Sequence, residues 1–245
     1  MALKYALDQG FGGQARLGLI VLSTDETLEN EARNLLAGRP VSLLHSRIPA
    51  QPDVTPKSLA TMENHMTATA ALLPAGLDVV GYGCTSGATV IGPERVAALV
   101  RKAQPEARVT NPLTGVVEAL KALNARKISL ITPYVDTVNA PLIAALAAHG
   151  IEVVARDSFL QENDWTVARI TESDTLQAAK DIAKSKTCDA IFASCTNLRC
   201  FGILEQAEAE TGVPMISSNL AFLWHMLKLA GLDARGWGPG RLFQN

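Results

Sequence analysis

The chain has 245 residues, of which 48% are hydrophobic and 19% are charged, and its formal net charge is −2. This composition is typical of a globular protein with one large domain or two small ones. The charge gives no basic surface for nucleic acid, and no segment has the roughly 18 consecutive apolar residues of a membrane span. The N-terminus lacks the features of a signal peptide. We therefore expect a cytoplasmic protein with no nucleic-acid or membrane partner.

The four cysteines are too few for the disulfide framework of a small secreted protein. In a reducing compartment each is either a core residue or a reactive thiol, and we interpret Cys188 and Cys200 as core residues. Cys195 and Cys200 lack CxxC spacing, and the four histidines form no HExxH-like motif. The glycines of 81–87 are spaced as GxGxxxG after a third strand, which does not fit a dinucleotide loop. We predict no metal and no cofactor.

An internal repeat relates the two halves of the chain. Residues 18–27 (GLIVLSTDET) resemble 129–138 (SLITPYVDTV), and 78–85 (DVVGYGCT) resemble 189–196 (DAIFASCT). The second match has the same offset as the first, so the two matches share one register. Two separate matches in one register indicate two copies of one structural unit.

Each copy alternates short apolar strands with helices. The strands are predicted in chain order at 17–22, 41–48, 79–82 and 107–110, and then at 128–132, 151–158, 190–193 and 214–217. Helices are predicted near 57–73 and 174–185, after Cys84 and Cys195, and from about Asn111 and Asn219. This alternation predicts parallel sheets with helices on both faces.

The fold class is therefore α/β, with two similar flavodoxin-like lobes that have parallel sheets and are related by pseudo-twofold symmetry. We place the N-terminal lobe at 1–112, joined by the C-terminal segment 225–245. The C-terminal lobe is expected at 113–224.

Cys84 and Cys195 each follow a third strand. Ligands of open parallel sheets bind outside the carboxyl ends of the strands, and a pseudo-twofold axis makes the two thiols face each other between the lobes. One thiolate can then attack or remove a proton while the other thiol donates one. A helix N-terminus after each cysteine is expected to lower the pKa of both thiols.

The residues next to the cysteines fit a carboxylate site. Thr85 and Ser86 follow Cys84, and Thr196 and Asn197 follow Cys195. Hydroxyl, amide and backbone N–H groups at the start of a helix can bind carboxylate oxygens. The sequence therefore predicts a small-molecule carboxylate as the substrate.

The segments GYGCTSGATVIGP (81–93) and SCTNLR (194–199) resemble the maleate cis-trans isomerase and arylmalonate decarboxylase branch of the Asp/Glu racemase superfamily. The resemblance extends from about residue 16 to 231. Arylmalonate decarboxylases resemble members with glycine at the first cysteine position, so the presence of both cysteines favours isomerase or racemase chemistry. For maleate isomerases, the resemblance implies that Cys84 adds to the alkene as a thiolate. Rotation and elimination then give fumarate, with Cys195 as the acid/base partner.

The resemblance also implies further site residues and an assembly. Tyr134 matches a tyrosine that binds a substrate carboxylate, and Asn163 matches an asparagine that contacts the substrate. From the residues alone, Tyr134 also fits packing at a strand end, and Asn163 with Asp164 also fits a turn. Relatives of this kind are usually dimers, so we expect a homodimer or a higher homo-oligomer.

Asp25 lies in the turn after the first strand and departs from the pattern of the family it resembles. Sequences similar to maleate isomerases have an asparagine at this position. An ionised aspartate would repel a dicarboxylate and attract a substrate ammonium group. The segment 22–27 (LSTDET) also resembles the ectoine-utilisation members of the branch, which we associate with amino-acid racemisation or a related step. Ser23 and Glu26 have capping-box spacing, so Asp25 is interpreted either as a substrate contact or as part of a helix start.

These observations leave three functional hypotheses. We predict a cofactor-independent isomerase that converts maleate to fumarate through a thiolate adduct. The alternative is a racemase of an amino acid, resembling aspartate, glutamate or an ectoine derivative, that uses two-cysteine proton transfer. A third hypothesis is a non-catalytic binding protein of periplasmic-binding-like architecture. The segment 40–55, with its prolines, fits either a mobile lid or an ordinary strand and loop.

Overall fold

The computed structural model of the protein describes residues 2–8 and 10–244. Positions 1, 9 and 245, which fall within the predicted extent of the N-terminal lobe and its C-terminal segment, lie outside the described residues. The described chain contains two four-stranded parallel sheets. Their strands are β1 (Ala15–Leu22), β2 (Val41–Ile48), β3 (Val79–Gly83), β4 (Arg108–Thr110), β5 (Lys127–Thr132), β6 (Glu152–Ser158), β7 (Ala190–Ala193) and β8 (Met215–Ser217).

The two sheets have the same topology. The strand orders are β2-β1-β3-β4 and β6-β5-β7-β8, and every pair within them is parallel. The central strands β3 and β7 are buried along their whole length, as expected for parallel strands covered on both faces. The prediction of two similar α/β lobes is therefore confirmed.

The helices cover both faces of each sheet. In chain order they are α1 (Leu28–Leu36), α2 (Pro56–Thr61), α3 (Met66–Ala70), α4 (Thr85–Ile91), α5 (Pro93–Arg101), α6 (Pro112–Ala122), α7 (Asp136–Ala148), α8 (Asp164–Val167), α9 (Glu172–Ser185), α10 (Leu204–Thr211) and α11 (Ser218–Leu229). Among the described residues, no helix is long and apolar enough to cross a membrane.

Two helix predictions are wrong in detail. The helix expected near 57–73 is divided into α2 and α3 by a 3-10 turn at Met62–His65, in a segment with three threonines, which are weak helix formers. No helix begins directly after Cys195. The chain stays irregular until a 3-10 turn at Phe201–Ile203, which leads into α10.

Helices α6 and α11 pack against each other and join the lobes. Gly115 of α6 permits this close approach, because a Cβ atom there would lie 2.9 Å from the Ala221 carbonyl oxygen. Helix α11 follows the last strand of the second sheet but packs on β3 and β4 of the first. The His225 ring nitrogen Nδ1, for example, lies 2.8 Å from the Thr110 hydroxyl. The exact division at residues 112 and 224 remains a prediction.

Candidate active site

Cys84 lies at the carboxyl end of β3 and is the N-cap residue of α4. Its Sγ accepts a hydrogen bond from the Gly87 N–H at 3.2 Å and lies 3.7 Å from the Ser86 hydroxyl. A Cβ atom on Gly87 would lie 2.9 Å from this sulfur. Glycine is therefore required for the N–H group to approach the thiol so closely.

Cys195 occupies the equivalent place after β7 but has different surroundings. Its φ angle is 148°, a region that side-chain-bearing residues rarely adopt and that costs about 1–3 kcal/mol. The conformation is held by a hydrogen bond from the Cys195 N–H to the Ser218 hydroxyl at 3.0 Å. The Sγ accepts from the Asn197 N–H at 3.2 Å and lies 2.9 Å from the Tyr134 hydroxyl. Such strain, fixed by its surroundings, is typical of functional residues.

The expectation that helix N-termini lower both thiol pKa values is wrong in this structure. Burial raises the pKa of Cys84 to about 12, although the Gly87 N–H and the Ser86 hydroxyl act in the opposite direction. Burial also raises the pKa of Cys195, which has no helix after it. The free-energy cost of removing a thiolate from water is larger than the stabilisation that one or two N–H hydrogen bonds provide.

A small cavity lies between the lobes at the carboxyl ends of the strands. Its volume is about 10 Å³, enough for roughly one water molecule. The lining includes seven residues predicted from the sequence: Asp25, Cys84, Thr85, Ser86, Tyr134, Thr196 and Asn197. Cys195 does not line the cavity, but its Sγ contacts the Tyr134 hydroxyl, which does. The structure thus assembles one site from both copies of the repeat.

Two loops, one from each lobe, close over the cavity. Residues 49–55 follow β2, and Ala50, Gln51 and Val54 from this loop line the cavity. The loop pairs with residues 160–164 of the other lobe, with the Val54 N–H donating to the Glu162 carbonyl at 2.7 Å. We call these two segments the cover.

Asn163 belongs to the cover and not to the cavity lining. Its side chain accepts from the Trp165 N–H at 3.1 Å, as the N-cap of α8, and donates to the Asp53 carboxylate at 3.2 Å. A substrate contact by Asn163 therefore remains a prediction.

The hydroxyl and amide groups next to the cysteines form bonds between the lobes. The Thr85 hydroxyl donates to the Ser218 hydroxyl at 2.8 Å. The Asn197 amide accepts from the Glu26 N–H of the other lobe and donates to the Asp164 carbonyl of its own lobe, each at 2.9 Å. The Thr196 hydroxyl has a long contact of 3.5 Å with the Gly83 carbonyl and also faces the Asp25 carboxyl group, whose pKa it lowers. Within the described part of the chain, the Ser86 hydroxyl has only the 3.7 Å contact with the Cys84 sulfur and is therefore free to meet a ligand.

Asp25 caps the start of α1, but not as part of a capping box. Its Oδ1 accepts from the N–H groups of Thr27 and Leu28, each at 2.8 Å. The capping-box interpretation is wrong because the Ser23 hydroxyl accepts from the Ala50 N–H at 3.0 Å and Glu26 pairs with an arginine of the other lobe.

Two buried carboxyl groups of the site were missed in the sequence. Asp164 lines the cavity, accepts from the Thr24 hydroxyl at 2.6 Å, and has a pKa raised by burial to about 6. Glu31 of α1 accepts from the Cys200 N–H at 3.0 Å and from the Asn219 amide at 2.7 Å, and thereby holds the loop that follows Cys195. A signal for Glu31 did exist, because it lies on the apolar stripe of α1 between Leu28 and Leu35.

These buried carboxyls predict that the protein loses stability as the pH rises. Burial raises the pKa values of Asp25 and Glu31 to about 7 and that of Asp164 to about 6, well above their unfolded values near 4. Their contribution to folding is therefore complete below pH 4 and is lost as the pH rises towards 7. We expect the Tm at pH 8 to be lower than at pH 5 by at least about 2–4 °C, the shift that about 1 kcal/mol produces at this size.

Thermal melts of the double variant Asp25→Asn/Glu31→Gln test this expectation. The difference in Tm between pH 5 and pH 8 is expected to shrink in this variant. It is expected to persist in Asp136→Asn, which changes an exposed carboxylate at the position equivalent to Asp25. An unchanged difference in the double variant would show that other groups control the stability.

The described residues, 2–8 and 10–244, contain no group of three or more His, Cys, Asp or Glu side chains that could hold a metal ion. The expectation that the protein needs no cofactor stays a prediction.

The fold and the site define a two-lobed α/β enzyme with one buried cysteine from each lobe beside a shared cavity. Comparison with known sequences agrees, because the family model described as arylmalonate decarboxylase matches residues 17–243. The chain belongs to this family.

The similar proteins in this family are named for two different activities. A maleate isomerase from Nocardia farcinica is 26% identical over 242 residues, covering 95% of this chain and 96% of that protein. An arylmalonate decarboxylase from Bordetella bronchiseptica is 31% identical over 136 residues, covering 55% of this chain and 57% of that protein.

Solved structures give the same result. A mutant of the Nocardia farcinica maleate cis-trans isomerase, with a covalently bound succinylcysteine intermediate, has a TM-score of 0.84 and 26% identity. The alignment covers 94% of this chain and 98% of that one. The similarity therefore extends over nearly all of the two-lobed fold.

Proposed function

We propose that this protein is a maleate cis-trans isomerase that uses Cys84 as its nucleophile and Cys195 as the acid/base partner. The observation that carries the proposal is the cysteine pair at equivalent strand ends, with Cys84 in the cavity and Cys195 bonded to the cavity-lining Tyr134. The succinylcysteine found in the Nocardia farcinica isomerase supports a covalent route through a cysteine. The relatives of nearly full length that are named maleate isomerase support the substrate.

The proposed reaction begins when the Cys84 thiolate adds to one alkene carbon of maleate. The π electrons move to the neighbouring carbon and its carboxylate, so the central C–C bond becomes single and can rotate. Re-formation of the double bond then expels the thiolate and releases fumarate. No atom is gained or lost overall, and the covalent intermediate divides one difficult rotation into easier steps.

Cys195 is proposed to donate its thiol proton to the carbon that becomes a carbanion after the addition and to take a proton back from that carbon as the double bond re-forms, with Tyr134 beside it. Burial raises the pKa of Tyr134 well above its usual value, so the phenol remains a proton donor at neutral pH. It can hydrogen-bond either to the Cys195 sulfur or to a substrate carboxylate. Thr85, Ser86, Thr196 and Asn197 are proposed to line the carboxylate positions.

The small volume of the cavity requires the cover to move when the substrate binds. A volume of about 10 Å³ cannot hold a dicarboxylate with eight heavy atoms. Opening also lets water reach Cys84 and removes part of the burial that raises its pKa. We propose that thiolate forms in the open state and that the cover closes over the bound substrate, which keeps solvent away from the adduct.

Proton NMR of the purified protein with maleate in deuterated buffer tests the function. We expect fumarate to appear without any added cofactor. A parallel incubation with amino acids, including aspartate and glutamate, reports racemisation as deuterium at the α-carbon. Absence of fumarate together with α-deuteration that requires both cysteines would replace the isomerase with the racemase.

The proposal includes a location in the cytoplasm and the division into lobes given above. Chemistry that needs free thiols operates in a reducing compartment, which supports the cytoplasm. The packing of α11 on the first sheet supports lobes at 1–112 with 225–245 and at 113–224.

The proposal also includes a homodimer. The exposed apolar side chains of Leu3, Tyr5, Leu7 and Phe11 offer a surface for a second copy and support this assembly. Light scattering coupled to size exclusion measures the oligomeric state.

A further inference from the structure

Asp25 has one carboxyl oxygen that accepts hydrogen bonds and one that makes none of normal geometry. Oδ1 accepts the two N–H groups that open α1, from Thr27 and Leu28. Oδ2 is buried and, among the described residues, makes no hydrogen bond of normal geometry, although the Thr196 hydroxyl faces the carboxyl group and lowers its pKa. The residue is only 2% exposed, and it lines the cavity together with Cys84. The helix-start and substrate-contact interpretations are therefore compatible, because each takes a different oxygen.

The groups that face the Asp25 carboxyl do not include a cation. The titratable groups in or beside the cavity are Asp164, Cys84, Cys195 and Tyr134, all of which are neutral or negative. No lysine, arginine or histidine lines the part of the cavity that the structure describes. An ionised Asp25 would thus be a buried charge without a counter-ion, which is strongly disfavoured.

The nearby cations are engaged elsewhere. Arg47 donates to the main-chain carbonyl of Asp25 at 3.0 Å, not to its carboxyl group, and its other terminal nitrogen lies 3.2 Å from the Glu29 carboxylate. Arg169 pairs with Glu26 at 3.0 Å. The remaining acid on α1, Glu31, is bonded to the loop after Cys195. Burial without a counter-ion raises the pKa of Asp25 to about 7.

We propose that Asp25 is a substrate-binding residue that acts as a neutral carboxylic acid and donates its Oδ2 hydrogen to a carboxylate oxygen of the substrate. Oδ1 stays on the N–H groups of Thr27 and Leu28, so α1 need not move. This inference rests on the proposed function, because it takes the substrate to be a dicarboxylate. A carboxylate placed beside Asp25 adds negative charge, which favours the protonated form further.

Substrate binding is then coupled to the uptake of a proton. Above neutral pH the free site loses the Asp25 proton, and binding must recover it from solvent. The Kd for a dicarboxylate therefore rises about tenfold for each pH unit above neutral. Asparagine has the same shape, keeps an oxygen for the α1 N–H groups and carries a permanent N–H donor. Asp25→Asn is therefore expected to bind without this pH dependence.

Calorimetry with maleate tests the proposal on the Cys84→Ala background, in which turnover does not disturb binding. We expect the Kd of Cys84→Ala to rise about tenfold from pH 7.5 to 8.5, with proton uptake visible in buffers of different ionisation enthalpy. In Cys84→Ala/Asp25→Asn, the Kd is expected to change by less than about twofold over that range. The titration of maleate itself is common to both proteins and cancels in the comparison. Asp136→Asn, the exposed equivalent in the second lobe, serves as the matched control and should keep the pH dependence.

Each other outcome is decisive. A Kd that is independent of pH with Asp25 present, or that falls as the pH rises, overturns the proposal. A second result also overturns the proposal: Cys84→Ala/Asp25→Asn fails to bind maleate while Cys84→Ala binds aspartate. This pair of results would show that Asp25 is ionised and pairs with an ammonium group. Conversion of maleate by the wild-type protein with a pH-independent Kd would overturn only the role of Asp25. A pH-dependent Kd without conversion would overturn only the isomerase.

Discussion

Cys84→Ala is expected to abolish the conversion of maleate to fumarate, with a fall in kcat of roughly 10⁴-fold or more. Cys84 supplies the only thiol in the described cavity lining, and its Sγ is positioned by the Gly87 N–H. Without this atom no adduct forms and the alkene cannot rotate. Initial rates followed by proton NMR measure the effect.

The matched control for this variant is Cys188→Ala. Cys188 is half-buried and lies before β7, away from the cavity. Its removal should leave the rate within about twofold, as expected for a substitution remote from the site. Activity of Cys84→Ala within tenfold of wild type would remove this cysteine from the mechanism.

Cys195→Ser is expected to lower kcat by about 10²–10⁴-fold, the usual contribution of a positioned acid or base. Serine fits the space but its hydroxyl is a far weaker acid than a thiol. The cavity lining is unchanged, so the Kd for maleate should stay within about threefold when the hydrogen-bonding neighbours are kept. Rate measurements and calorimetry together separate these two effects.

Cys188→Ser, which changes a thiol to a hydroxyl outside the site, is the control for this variant. It should retain wild-type kcat and Kd. If Cys195→Ser kept the wild-type kcat, the second cysteine would be structural. If it lost maleate binding and activity equally, Cys195 would shape the binding site without taking part in proton transfer.

The lobes and the cysteine pair could be predicted because the sequence carries them locally. Buried strands appear as short apolar runs, and the repeated register aligns Cys84 with Cys195 at the ends of β3 and β7. The expected pseudo-twofold relation of the lobes then turns the carboxyl ends of both strands towards one another. None of these steps needs knowledge of contacts between distant residues.

The features that were missed or predicted wrongly depend on contacts between the lobes, which sequence periodicity does not reveal. Asp164 reaches the cavity because the cover pairs residues 49–55 with 160–164. The predicted direction of the pKa shift of Cys84 was wrong. A helix N-terminus can be recognised from the local sequence, whereas the extent of burial cannot. The irregular chain after Cys195 depends on its φ angle and on its bond to Ser218.

The most direct measurement of the central claim is the covalent adduct itself. Cys195→Ser is mixed with maleate and quenched in acid, and its mass is determined before and after peptide mapping. The account predicts a mass increase of one maleic acid, located on Cys84, and no adduct in Cys84→Ala/Cys195→Ser. An adduct on another cysteine, or fumarate formation by the wild-type protein with no adduct in Cys195→Ser at any time, would contradict it.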